Sequence, residues 1–119
     1  MTAPVALIRH VDENGDTYDA LAFACPGCAL TRDPGYEGLH MLPITGDSTK
    51  RPVWTFDGNL DAPTLEPSIL TEGTWAGKPW RCHSYLRAGV FEFLNDCSHP
   101  LAGQHVPAPP LPDWFVRET

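Results

Sequence analysis

Thirteen prolines and ten glycines punctuate these 119 residues so closely that no uninterrupted helical pattern of a dozen residues survives. Proline removes a backbone donor and clashes with the preceding turn of a helix, and glycine weakens a helix interior. The chain is thereby restricted to short strands and long connections. The predicted fold is mainly β: one small domain of short antiparallel hairpins with long Pro/Gly-rich loops. With 42% hydrophobic and 10% aromatic residues, the chain still has the means for a modest core. A structural metal is the natural supplement to a core of that kind.

Cysteine spacing points to such a metal. Two thiols in Cys25-Pro26-Gly27-Cys28 are separated by a turn that aims both at one ion, and the remaining cysteines, Cys82 and Cys97, complete a four-thiolate set. Such a set is the ordinary donor shell of tetrahedral Zn2+. A redox dithiol of the thioredoxin kind should open a helix, whereas the residues after Cys28 run into Pro34 and Gly35. Buried free thiols beside an unrelated knuckle are the remaining alternative.

Strand patterning suggests how the halves of the site meet. Residues 5–9 read as a strand, residues 12–16 as a turn containing Asn14-Gly15, and residues 17–24 as a returning strand that delivers Cys25. Residues 38–44 read as the strand leaving the knuckle, which brings His40 near the cysteines. Further strands are expected at 54–56 and 68–70, the latter after an extended Pro63–Pro67 edge segment. The clearest hairpin joins residues 81–86 to residues 90–95. With Ala88-Gly89 as a two-residue turn, Cys82 lies opposite Asn95, and alternation puts Cys97 on the Cys82 face and His83 on the other. Residues 72–80, with Trp75 and Trp80, read as a flexible loop offering Trp75 as an exposed contact.

The formal charge of −7 comes from fifteen acids against two lysines and six arginines, with no basic run. Backbone binding to nucleic acid needs clustered cations, so no nucleic-acid partner is expected. No apolar run approaches the length of a membrane span, and the first residues lack a signal-peptide pattern. These features suggest a protein of a reducing cytoplasm, where cysteines serve as ligands more often than as disulfides.

Several motifs together resemble the DUF6527-type proteins of phages and prophages, which often carry the label "ammonia monooxygenase". They are the knuckle followed by His40, Trp54-Thr55-Phe56-Asp57-Gly58-Asn59, Pro63-Thr64-Leu65-Glu66-Pro67-Ser68, Cys82-His83-Ser84-Tyr85 and Asp96-Cys97-Ser98-His99. Bacterial proteins encoded beside ubiquitin-like conjugation genes look similar at the knuckle, the Pro-Ser step and the final hairpin. The resemblance implies a zinc-ribbon-like scaffold. It also leaves the fourth zinc ligand open, because some phage relatives carry serine at the place of Cys97; His40, His99 or His83 would then substitute. No copper-site constellation or membrane span supports monooxygenase chemistry.

These features assign residues 1–106 to a zinc-binding β domain and residues 107–119 to a Pro-rich arm, with Trp114 and Phe115 docking it on the body or a partner. The expected role is that of a zinc-stabilised phage or prophage accessory protein that binds another protein. A virion component, such as a minor tail or head protein among phage structural proteins, is one form of it. The alternative is a metal-dependent enzyme using His83, Asp96 and His99, with His40 and Asn59 contributing. Ser68 lies in no nucleophile-elbow motif and reads as the start of a strand.

Overall fold

The computed structural model describes residues 3–31, 36–112 and 115; the expectation placed on Trp114 lies outside them. The fold is mainly β, built of antiparallel hairpins in two sheets. In the first sheet, β1 (Val5–Val11), β2 (Thr17–Ala24) and β3 (Leu39–Pro43) lie in that order. The second runs in sequence order through β4 (Thr55–Phe56), β5 (Leu65–Trp75), β6 (Lys78–Arg87), β7 (Val90–Phe93) and β8 (His105–Pro107). A 3-10 turn, Cys28–Leu30, begins at the last residue of the knuckle. No helix among the described residues is long and apolar enough to cross a membrane.

The inner faces of the sheets make one core. Leu21 and Phe23 from β2 pack with Leu65, Ile69, Leu86, Phe91 and Phe93 from the second sheet. The rings of Phe23 and Phe91, with centroids 5.7 Å apart, join the two layers. Burying a side chain of this size contributes about 1.5–3 kcal/mol. Along β6 the alternation is regular: Cys82, Ser84 and Leu86 are buried, while His83 and Tyr85 are only partly covered. Period-2 geometry therefore sends neighbouring residues of one strand to opposite faces.

The structure changes two readings. The segment 72–80 is not a loop but the far half of a long β5–β6 hairpin, with Trp75 paired to Lys78 across Ala76-Gly77. Both turn residues have positive φ, 53° and 80°, the geometry that matches the twist of the flanking strands. Trp75 at its tip is about half exposed. The second hairpin has the expected turn, with Arg87 opposite Val90 and Ser84 opposite Phe93. Its return strand, however, ends at Phe93.

At the chain's end, β8 pairs with β7, Ala108 donates to the Gly89 carbonyl, and Leu111 is buried. The first residues of the Pro-rich segment thus continue the second sheet.

Candidate functional site

A cysteine–histidine cluster occupies the inner face of the fold. β2 delivers Cys25, whose N–H donates to the Gly38 carbonyl; the knuckle then turns so that the Cys28 N–H points at the Cys25 sulfur, 3.4 Å away. Two glycines make this turn possible. A Cβ on Gly27 would stand 2.5 Å from His99 Nε2, and one on Gly38 would stand 2.2 Å from the Cys25 carbonyl oxygen. β3 supplies His40, paired with Phe23, and its Nε2 lies 3.1 Å from the Cys28 sulfur.

The ligand atoms of Cys25, Cys28 and His40 all lie within 4.8 Å of one another and could hold a metal ion. Cys82 closes on them from β6, its sulfur 3.7 Å from that of Cys25, and all four cysteines are free thiols. Thr71 Oγ1 on β5 approaches the Cys28 sulfur at 3.4 Å. Crowding divides the charge: hydrogen bonds from Cys25, Cys82 and His40 hold the Cys28 thiol far below its usual range. Against that thiolate, Cys25 is pushed up to about 12 and Cys82 is pushed up as well. Three sulfurs crowd together beside the His40 imidazole, and only one of them ionises readily. A cation among them would relieve the repulsion.

Cys97 is not in this group. Alternation was expected to carry it onto the Cys82 face, but beyond Phe93 the chain leaves the ladder in a turn that bonds the Cys97 N–H to the Leu94 carbonyl. Its thiol sits against the backbone of His83, 3.2 Å from the nitrogen and 3.1 Å from the oxygen. Burial is the main reason its pKa is raised.

His99 is also outside the group. It is buried edge-on to Phe93, with Nδ1 accepting from the Leu101 N–H and Nε2 without a hydrogen-bond partner among the described residues. Burial lowers its pKa.

The outer face of the same hairpin carries a second arrangement. His83 points away from the cluster, and its two ring nitrogens are both engaged: Nε2 lies 3.1 Å from Ser68 Oγ, and Nδ1 lies 3.0 Å from Asp96 Oδ2. Ser68 comes from β5, within an irregularity in register between Leu65 and Ile69, and its carbonyl accepts from Trp54 Nε1. Asp96 comes from the turn after β7. His83 is the main cause of its lowered pKa, with Arg81 adding to the effect. An ionised carboxylate only accepts, so the network places the imidazole proton on Nδ1 and leaves Nε2 to accept from the Ser68 hydroxyl.

The following residues clamp this arrangement to β6. Cys97 brackets the His83 backbone, while Ser98 Oγ and N bond the Arg81 nitrogen and oxygen. The Arg81 side chain lies between Glu72, at 2.9 Å, and Asp96, at 3.5 Å.

The histidine–aspartate centre that the sequence offered as the alternative is thus divided. His40 and His99 lie beside the cysteines, His83 and Asp96 meet on the opposite face, and Asn59 is committed to a turn, its Oδ1 accepting from the N–H groups of Asp61 and Ala62. Ser68, set aside in the sequence reading as the start of a strand, meets His83 here. Pairing across Ala76-Gly77 puts Leu70 opposite His83, so Ser68 lies diagonal to His83 on one face. That signal was legible only to a reading that recognised this turn.

A nucleophile within hydrogen-bond reach of a histidine oriented by a carboxylate is recognised by geometry, not by chain order. No curated protein and no solved structure matches the chain. A family model described as the bacterial ubiquitination-like system serine protease, BubE, matches residues 4–94, a stretch that contains the cysteine knuckle, Ser68 and His83 and stops just short of Asp96. With about three quarters of its length so matched, the chain belongs to the BubE family.

Proposed function

We propose that this protein is a serine protease of a bacterial ubiquitination-like system, with Ser68 as nucleophile, His83 as general base and acid, and Asp96 as the carboxylate that orients it. The observation that carries the reading is the continuous hydrogen-bond chain Ser68–His83–Asp96, with both links near 3 Å. Family membership adds independent support. Ser68 Oγ attacks the scissile carbonyl carbon while His83 Nε2 takes its proton, and Asp96 stabilises the resulting imidazolium. Collapse of the tetrahedral intermediate breaks the bond to the leaving group, which receives that proton from His83. A water molecule, deprotonated by His83, then hydrolyses the acyl-Ser68 ester and regenerates the hydroxyl.

The inner cluster serves as a structural Zn2+ site in this reading, held by Cys25, Cys28, Cys82 and His40. Adjacent sulfurs of a tetrahedral zinc site lie about 3.8 Å apart for Zn–S bonds of about 2.3 Å. The Cys25–Cys82 separation of 3.7 Å suits that edge. Four protein donors leave no coordination position for water, so the metal would stabilise the fold while the chemistry takes place on the other face. The accessory-module role has the exposed Trp75 in its favour as a protein contact, and proteolysis would give that role an activity.

A fluorophosphonate probe tests the nucleophile. The intact protein should gain one covalent adduct located at Ser68 by mass spectrometry, and Ser68→Ala should gain none. Labelling that persists in Ser68→Ala would overturn the assignment.

A further inference from the structure

On the serine-protease reading just given, we propose that the substrate is an extended polypeptide segment that adds as a strand along the open edge of β5, pairing with Leu70, Glu72 and Thr74 and leading its scissile bond to Ser68. The geometry of β6 fixes which way these backbone groups face. The Arg81 and His83 carbonyls accept from Ser98 and Leu94, and their N–H groups donate to Ser98 Oγ and Cys97 Sγ, so both residues turn toward the β7 side.

Alternate residues of a strand turn their N–H and C=O groups to opposite edges. Trp80, Cys82 and Ser84 therefore face β5, and their partners Gly73, Thr71 and Ile69 face β6. Leu70, Glu72 and Thr74 are left facing outward. The Ser68 carbonyl, within the register irregularity that precedes Ile69, accepts from Trp54 Nε1.

β4 covers only Leu65 and Glu66, so no strand among the described residues pairs with the outer edge of β5 from Ser68 to Trp75. Proteins ordinarily blunt a long edge with proline, lysine or a bulge. Between Ile69 and Trp75 there is no proline or lysine, the register with β6 is unbroken, and residues 72–75 are all exposed. Main-chain pairing on such an edge provides affinity, and the side chains flanking it provide selectivity. Leu70, 48% exposed and opposite His83, is placed to meet a substrate side chain near the scissile bond. From Ser68 to Thr74 the edge spans about 20 Å, room for roughly six substrate residues.

Proline provides the test because it deletes a single N–H. At Glu72 or Thr74 that N–H faces outward, where an edge strand tolerates proline. The probes are a quenched octapeptide chosen from a degenerate pool for cleavage by the wild-type protein, and p-nitrophenyl acetate, which is too small to reach the edge. Glu72→Pro, with Glu72→Ala as the control for the lost Arg81 contact, and Thr74→Pro should each lower kcat/KM for the octapeptide about tenfold. Ester hydrolysis and fluorophosphonate labelling should stay at the control level.

In Ser68→Ala, a cleavable octapeptide should slow amide exchange at Leu70, Glu72 and Thr74 but not at Thr71 or Gly73. Unchanged octapeptide cleavage in folded proline variants, protection on another strand edge, or concentration-dependent dimerisation through β5 in place of peptide binding would overturn the proposal. Failure of the protease reading itself is separate, showing as absent labelling and ester hydrolysis in the wild-type protein.

Discussion

His83 has a ring hydrogen-bonded on both sides and a backbone held by Cys97, so the two supports make different predictions. Asp96→Asn should preserve the fold while lowering kcat by about 10³–10⁴, because an amide cannot stabilise the imidazolium or enforce the tautomer. Steady-state kinetics on the octapeptide would check it. Cys97→Ala should leave bound zinc at the wild-type level, measured by elemental mass spectrometry, and reduce kcat through a looser His83. Cys25→Ala should lose the metal. Loss of zinc in Cys97→Ala would return that residue to the ligand set.

His99 is buried, and burial lowers its pKa below the usual 6.5. The unfolded chain then binds more protons than the folded one as pH falls through 6.5, so stability is full above that value and declines below it. Nuclear magnetic resonance should find the His99 ring titrating below pH 6.5, and a midpoint above that value would contradict the burial argument.

The decisive elements are the two hairpins that share β6. The β6–β7 hairpin was legible because Ala88-Gly89 stands between two alternating runs, and the observed register is the expected one. Cys97 was misplaced because alternation was extended past the end of β7, where a turn had already taken over. The far half of the β5–β6 hairpin was read as a loop because its tryptophans, glycines and proline hide the alternation, and with its register unread Ser68 was not placed beside His83. Ala76 and Ala88 both hold positive φ, 53° and 49°, a region in which asparagine or glycine is more comfortable. Ala76→Asn and Ala88→Asn should each raise stability by about 1 kcal/mol, measured by chemical denaturation.

At the scale of the whole molecule, one hairpin turns the cysteine cluster and the Ser68–His83–Asp96 network to opposite faces. Cys82 and His83 are consecutive, one turned to the cysteine cluster and the other to Ser68 and Asp96. Chelation of the metal should therefore lower the melting temperature and fluorophosphonate labelling together, since releasing Cys82 frees the strand that positions His83. Phe91→Ala, at the junction of the two sheets, should cost about 3–5 kcal/mol, measured by chemical denaturation.

Proline and glycine spacing by itself determined a β fold, and strand periodicity located β1, β2, β3 and the β6–β7 turn, because these are local steric effects carried by neighbouring residues. The knuckle likewise announced a metal-type site through four residues in a row. Which residues complete the sites was decided by tertiary structure alone. Ser68 and His83 are brought together by β5–β6 pairing and Asp96 by the turn after β7, and His40 reaches Cys28 through β2–β3 pairing. Register depends on where strands end and which face is buried, and these follow from packing the two sheets against each other.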